Sequence, residues 1–227
     1  NQEFGNLAGN NQGSEFQFSG GVLNLGTATL TVGREGSSQT FSGQLIGGAG
    51  SSMIKIGTGT LTVNNYNGNM PNSLGTLYVD QGAVATRNND QSWATPTAFA
   101  SSIPSSTDVY LRGGTWQVRT VGDSTTNNQR ISIGNNIIAG GGDSVLSTVR
   151  DQGGAGNKLL TFGNLTLGVQ RFLTNNDNTI IPRFDGVTTL TNYARIQTDN
   201  NLVLAGVITG NYSLEKRGGS DLSIGAD

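Results

Sequence analysis

The stretch KIGTGTLTV, Lys55–Val63, recurs in altered form as KRGGSDLSI, Lys216–Ile224. Both have the form K-x-G-x-x-x-L-x-[VI]. A second shared element precedes each copy: FSGQLIG at Phe41–Gly47 and LAGVITG at Leu204–Gly210. A long unit that recurs as short strands and glycine corners is typical of a solenoid, because one copy cannot bury its own apolar face.

The composition favours strands over disorder or helices. The chain has 227 residues, 35 of them glycine, and only 12% are charged, which raises low-complexity disorder as an alternative. Apolar residues nevertheless fall two apart, as at Leu23 and Leu25, which is the spacing of a strand. The nearest helical candidate, 93–103, is cut short by Pro96 and Pro104. The sequence therefore predicts an all-β protein without a membrane-spanning helix.

Missing residue types exclude several kinds of chemistry. The chain has no cysteine, so disulfides and thiolate metal sites are excluded, and it has no histidine, which removes the Ser-His-Asp and Cys-His arrangements. A net charge of −2, with 13 basic residues scattered along the sequence, gives no case for nucleic acid. We expect no catalytic residues, no metal site and no cofactor.

Strand-like segments bounded by Asn, Asp, Gly and Ser follow one another from Gly21 onward. We predict one parallel β-helix domain over 21–227 with about ten rungs, preceded by a leader or entry segment at 1–20. A loop excursion near 88–107 interrupts the rungs. Because the chain begins with Asn1, we expect a mature product or fragment of a longer parent.

The order of elements between residues 41 and 84 matches a known repeat. It runs through Phe41–Gly43, Lys55, Gly57, Gly59–Val63, Asn65–Gly68 and Val79–Val84. It resembles the autotransporter-associated β-strand repeat of bacterial surface and secreted proteins. The segment Asn69–Thr76 is longer than that family's usual link, and the second copy reaches Asp227 before its Asn-x-Tyr-x-Gly element. The resemblance implies a right-handed β-helix outside the cell, with adhesive or matrix roles and no catalytic residues.

Three functions follow as hypotheses. The first is a non-enzymatic extracellular β-solenoid, part of a bacterial surface adhesin or a self-assembling matrix fibre. The second is a polysaccharide-binding or polysaccharide-cleaving β-helix, which would need carboxylates converging on one groove. The third is a phage-type fibre, which would need trimerisation. The acids Asp143, Asp151, Asp177, Asp185 and Asp199 each lie near Asn or Gly, which favours a role in turns.

Aromatic residues are the candidate contacts for a ligand, and cell-surface glycans are a candidate partner. Trp93 and Phe99 lie in the loop excursion and are the preferred ligand contacts. Tyr110 is a further stacking candidate, whereas Trp116 alternates with Val118 and is predicted to lie in the core.

The ends of a β-helix present open strand edges that favour stacking on further strands. We predict end-to-end contacts, either with another copy or with further repeats of the parent, made by Phe4, Phe16 and Phe18 at one end and by Leu222 and Ile224 at the other. Such head-to-tail contacts produce an open filament.

Overall fold

A computed structural model describes residues 2–4, 21–64, 72–90, 99–121, 129–152, 157–168, 171–176 and 179–225. These ranges contain strands and turns but no helix, and hence none that is a candidate for a membrane span. The strands, numbered in chain order, are β1 (Gln2–Phe4), β2 (Val22–Gly26), β3 (Thr29–Val32), β4 (Gln39–Phe41), β5 (Gln44–Gly47), β6 (Ser52–Lys55), β7 (Thr60–Val63), β8 (Thr76–Val79), β9 (Ala83–Asp90), β10 (Phe99–Ser101), β11 (Asp108–Leu111), β12 (Thr115–Val121), β13 (Gln129–Ser132), β14 (Ile137–Ala139), β15 (Ser144–Gln152), β16 (Lys158–Phe162), β17 (Leu165–Leu167), β18 (Arg171–Asn176), β19 (Ile180–Phe184), β20 (Thr188–Leu190), β21 (Ala194–Thr198), β22 (Leu202–Leu204), β23 (Ile208–Thr209), β24 (Leu214–Arg217) and β25 (Leu222–Ile224).

Long parallel sheets run along the molecule. Sheet 1 contains nine strands in the order β1-β3-β6-β8-β11-β14-β17-β20-β23, and sheet 2 runs β4-β7-β9-β12-β15-β18-β21-β24. The third side consists of the pair β2-β5 and the five-stranded sheet β13-β16-β19-β22-β25. Successive strands of the chain fall on successive sides, so the chain coils as a parallel β-solenoid.

The solenoid has about seven turns, counted from β3 to β23 in sheet 1. The ten rungs expected from the sequence are not confirmed. Several segments expected from the sequence as single rungs contain two strands from adjacent sides. The interval 158–169, for example, contains both β16 and β17, which are separated by a corner at Gly163 and Asn164.

Alternation of side chains gives the solenoid its core. In strands such as β7 and β8 every second residue is buried, and the row Val32, Val79 and Leu111 of sheet 1 is at most 1% exposed. Aromatic rings fill the middle of the interior: Phe162 stacks on Phe184 at 5.3 Å between ring centroids, and Trp116 meets Phe162 edge-on at 5.8 Å. Stacked rows of this kind bury apolar surface that no single turn could bury alone.

Buried amide and hydroxyl side chains join turns on the third side between β5 and β13. The Asn72 side chain accepts a hydrogen bond from the Leu45 amide at 2.7 Å and donates to the Ser102 carbonyl at 2.6 Å. The Asn135 amide group likewise donates to the Thr107 carbonyl at 2.8 Å, and the Thr107 hydroxyl donates to the Leu74 carbonyl at 2.6 Å. These bonds satisfy backbone groups where regular strand pairing is interrupted.

The loop expected at 88–107 is only partly correct, because it contains paired strands. Residues 88–90 complete β9, and β10 pairs with them antiparallel, so half of the described excursion is a two-stranded arm. Ser102 and Ile103 are buried in the solenoid, where the Ser102 hydroxyl donates to the Arg87 carbonyl at 2.6 Å. The leader at 1–20 also contributes a strand, because β1 extends sheet 1 by pairing with β3.

The two copies of the K-x-G repeat occupy different sides of the solenoid. Lys55 ends β6 in sheet 1, and its copy continues into β7 of sheet 2. Lys216 lies in β24 of sheet 2, and its copy continues into β25 on the third side. The repeat therefore encodes a strand, a corner and a strand, displaced by one side between the copies.

Candidate functional site

The predicted ligand contacts lie in the arm or outside the described residues. Trp93 falls outside them. Phe99 begins β10 and pairs with Asp90, and only its backbone is described. Trp116, predicted to be core, is fully buried, and its indole nitrogen donates to the Thr86 hydroxyl at 3.0 Å. That core prediction is confirmed.

Three of the five predicted end contacts lie in edge strands. Phe4 ends β1 opposite Val32. Leu222 and Ile224 lie in β25 opposite Leu202 and Leu204; Leu222 packs partly against the core, whereas Ile224 is 61% exposed. Phe16 and Phe18 fall outside the described residues.

The carboxylates considered for catalysis have separate partners where their side chains are described. Asp143 pairs with Arg171 at 2.5 Å, and Asp185 pairs with Arg183 at 2.6 Å. Asp199 accepts from the Gln197 side chain at 3.1 Å. Asp177 and the side chain of Asp151 are outside the described part. Among the residues that the structure describes, no cluster of three or more acidic, His or Cys side chains could hold a metal ion.

Lys55 is a buried cation at a corner between sheets 1 and 2. It faces inward between Val32 and Val79 and is 1% exposed. Its ammonium group donates to the carbonyls of Ile56 and Gly57, each at 2.7 Å, and lies 3.5 Å from the Gln81 carbonyl of the next turn. Burial lowers the pKa of Lys55 because desolvation disfavours the charged form.

A small crevice lies beside Lys55. Its walls include Gly33, Ser37, Gln39 and Thr60. It offers about 10 Å³ to the centre of a water molecule, which is room for one water at most. The crevice is therefore too small for a sugar or another organic ligand.

Sheet 2 carries a charge cluster on its outer face near β24. Tyr193 and Arg195 both bond to the Glu215 carboxylate, and the Arg217 guanidinium donates to it at 2.7 Å. The Tyr193 hydroxyl and then Arg217 lower the pKa of Glu215 to about 2, and Tyr193 and Glu215 raise the pKa of Arg195.

The outer face of sheet 2 also groups charges that are distant in the sequence. Its register places Arg119 opposite Arg87, and Arg171 opposite Arg195. The sequence does not reveal this grouping, because these arginines are scattered in chain order and meet only through the register.

The outer face of sheet 1 carries a continuous row of apolar and aromatic side chains. The register places Thr31, Ile54, Tyr78, Tyr110, Ile138 and Thr166 next to one another in successive turns, and each is partly exposed. The rings of Tyr78 and Tyr110 are 4.9 Å apart between centroids. We call these six residues the tyrosine row.

An ion pair borders the tyrosine row. Arg112 binds Asp80 through two hydrogen bonds of 2.7 and 3.0 Å, and its guanidinium lies 4.2 Å from the centroid of the Tyr78 ring. This two-point geometry fixes the guanidinium against the ring. Tyr110 was a stacking candidate from the sequence, but its partner Tyr78 and the pair Asp80–Arg112 appear only when the turns are in register.

Comparisons with known proteins provide no relative: no family model, no curated protein and no solved structure matches the chain.

Proposed function

We propose that the chain is a non-enzymatic structural β-solenoid that works outside the cell, as part of a bacterial surface adhesin or a self-assembling matrix fibre. The observation that carries this proposal is the uninterrupted parallel pairing of sheets 1 and 2 along the whole solenoid. A rod whose turns are joined by backbone ladders, buried amides and stacked rings suits a load-bearing or presenting role. The proposal includes a right-handed direction of coiling for the solenoid, because crossovers between parallel strands are nearly always right-handed.

The edge strands support the part of the proposal that concerns self-association. At one edge β25 pairs with β22 alone among the described strands, and Ile224 and Val207 are more than half exposed there. At the other edge Val22 of β2 is 60% exposed. Unpaired backbone groups beside apolar side chains are a template for further strands. On the proposal these edges stack on another copy or on further repeats of the same parent.

Electron microscopy of the purified chain, with light scattering over a concentration series, tests the proposal. We expect stiff rods whose length grows with concentration. The double variant Leu222→Asp with Ile224→Asp should stop the growth without altering the single rods. Gln117→Asp, on the outer face of sheet 2 in the middle of the rod, is the matched control and should leave the growth unchanged. Rods of constant length at all concentrations would contradict end-to-end stacking, and release of sugar fragments from polysaccharides would favour the enzymatic alternative.

A further inference from the structure

The tyrosine row is a palindrome. From Thr31 to Thr166 it reads Thr, Ile, Tyr, Tyr, Ile, Thr, with its centre between β8 and β11. The register then continues to Thr189 and Thr209, so the self-matching part is these six strands. A twofold axis through that centre and parallel to the strands places a second copy face to face with the rod direction reversed. Thr then faces Thr, Ile faces Ile and Tyr78 faces Tyr110. A surface that maps onto itself in this way suits an isologous contact.

The charges beside the row follow the same symmetry. Asp80 follows Tyr78 by two residues, and Arg112 follows Tyr110 by two residues. The axis therefore places Asp80 of one copy opposite Arg112 of the other, and the reverse. The pair is partly exposed, with 40% of the Arg112 side chain and 30% of the Asp80 side chain accessible, so both groups are available to a partner. Four charges of alternating sign would then meet at the centre of the contact.

The polar row on the other flank is complementary as well. It runs Thr29, Ser52, Thr76, Asp108, Asn136 and Asn164, where the last two residues immediately precede β14 and β17. The twofold axis sets Thr76 opposite Asp108, Ser52 opposite Asn136, and Thr29 opposite Asn164. The Thr76 and Thr29 hydroxyls thus face a carboxylate and an amide oxygen that can accept a hydrogen bond, whereas the Ser52 hydroxyl already donates to Thr29 at 2.9 Å within the chain.

We propose that the outer face of sheet 1 binds a second copy of the chain in an antiparallel, twofold-symmetric contact centred between Tyr78 and Tyr110. This lateral contact is independent of the end-to-end stacking described above. Six strands are separated by five spacings of roughly 4.8 Å, so the contact is about 24 Å long. A strip of that length and one strand wide is smaller than the roughly 800 Å² per partner of stable complexes, so the dimer forms weakly and at high concentration.

A charge-swap experiment tests the contact between copies. Asp80→Arg places like charges at the centre of its own dimer, and so does Arg112→Asp. Each variant alone should be monomeric in sedimentation velocity, whereas an equimolar mixture should dimerise at least about tenfold more tightly than either alone. Loss of the exposed ion pair within the chain lowers stability by about 0–1 kcal/mol, so both variants should fold. The matched control is Asp143→Arg mixed with Arg171→Asp on sheet 2; both variants keep the sheet 1 face, so each should dimerise like the wild type and the mixture should dimerise no more tightly than either alone. Failure of the sheet 1 mixture to associate would overturn the proposal.

Cysteine cross-linking fixes the orientation, because the chain has no native cysteine. In the antiparallel contact Ile54 faces Ile138 of the other copy, and the two Ile54 residues lie three turns apart, about 14 Å. A short bismaleimide should therefore link Ile54→Cys to Ile138→Cys in a mixture and should not link Ile54→Cys to itself. Linkage of Ile54→Cys to itself would indicate a parallel contact, and no linkage in either sample would overturn the lateral contact.

Discussion

Lys55 and Lys216 begin the two copies of one sequence repeat, yet one lysine is buried and the other is exposed. Both lysines occupy strand positions whose partners in the neighbouring strands are buried. Lys55 lies between Val32 and Val79, and Lys216 pairs with Ile196. Both ammonium groups donate to the carbonyl of the glycine two residues later, at 2.7 Å for Gly57 and 2.6 Å for Gly218. The bond from lysine to glycine is thus local to the motif.

What differs between the copies is the turn that follows. Lys55 is covered by β8 and by the Gln81 carbonyl, whereas β24 has a described neighbour on one side only, β21. The same local structure therefore contributes to the core in one copy and to the surface in the other. Burial in a solenoid is a property of neighbouring turns, and the repeat alone does not determine it.

The largest difference between the copies is expected at their matching leucines. Leu61 is 3% exposed and packs between turns, whereas Leu222 is only partly buried in the edge strand β25. Leu61→Ala should lower the free energy of unfolding by about 2–5 kcal/mol, and Leu222→Ala should lower it by less than about 1 kcal/mol. Chemical denaturation of the two variants measures both values. Equal losses would mean that the edge turn is covered in solution.

Alanine at either corner glycine should cause similar local strain, but the two substitutions should destabilise different lengths of the solenoid. Gly57 has φ +70° and Gly218 has φ +84°. A Cβ added at Gly57 would lie 2.0 Å from the carbonyl oxygen of Gly33. A Cβ added at Gly218 would lie 2.2 Å from the carbonyl oxygen of Thr198. We expect Gly57→Ala to lower the free energy of unfolding by roughly 2–4 kcal/mol. Gly218→Ala should instead open the last turn locally, which hydrogen exchange would detect in β24 and β25 alone. Protection lost along the whole rod in Gly218→Ala would contradict this expectation.

The lysines should differ by a smaller amount. Lys55→Met leaves the carbonyls of Ile56 and Gly57 without the ammonium donor, so we expect a loss of about 1–3 kcal/mol. Lys216→Met, at the exposed position, should change stability by less than about 0.5 kcal/mol. Because burial lowers the pKa of Lys55, the folded state loses this proton at lower pH than the unfolded state. Wild-type stability should therefore rise relative to Lys55→Met as the pH approaches 10.5, which denaturation at several pH values checks.

The smallest effect concerns the charge cluster beside the second copy. The pKa of Glu215 is about 2 in the folded state, against 4.5 as its ordinary value. The stabilisation from this carboxylate is present above pH 4.5 and is lost as the pH falls through about 2. Hydrogen exchange in β21 and β24 should rise over that interval in the wild type, and less so in Glu215→Gln. A carboxyl titration near 4.5, observed by NMR, would show that Tyr193 and Arg217 do not hold Glu215 in solution.

The sequence predicted the strand content and the solenoid class, but it misjudged the number of turns. Alternation at Leu61 and Val63 identifies β7, and Trp116 was assigned to the core because it alternates with Val118. Alternation cannot reveal which side of the solenoid a strand occupies, so two strands joined by a corner were merged into one rung. The sequence predicts a loop at 88–107, and it cannot reveal the burial within 102–107, because that burial depends on the amides of Asn72 and Asn135 in other turns.

The sequence by itself determined the local elements of this protein. Period-two apolar spacing determined the strands, and glycines such as Gly57 determined the corners, because both depend on the backbone preferences of neighbouring residues. Only the tertiary structure decided which residues meet between turns. Tyr78 and Tyr110 are 32 residues apart and Asp80 and Arg112 are equally distant, yet both pairs are in contact. Turns here differ in length, so the register between them, and with it the tyrosine row and the buried state of Lys55, is set by pairing across the whole solenoid.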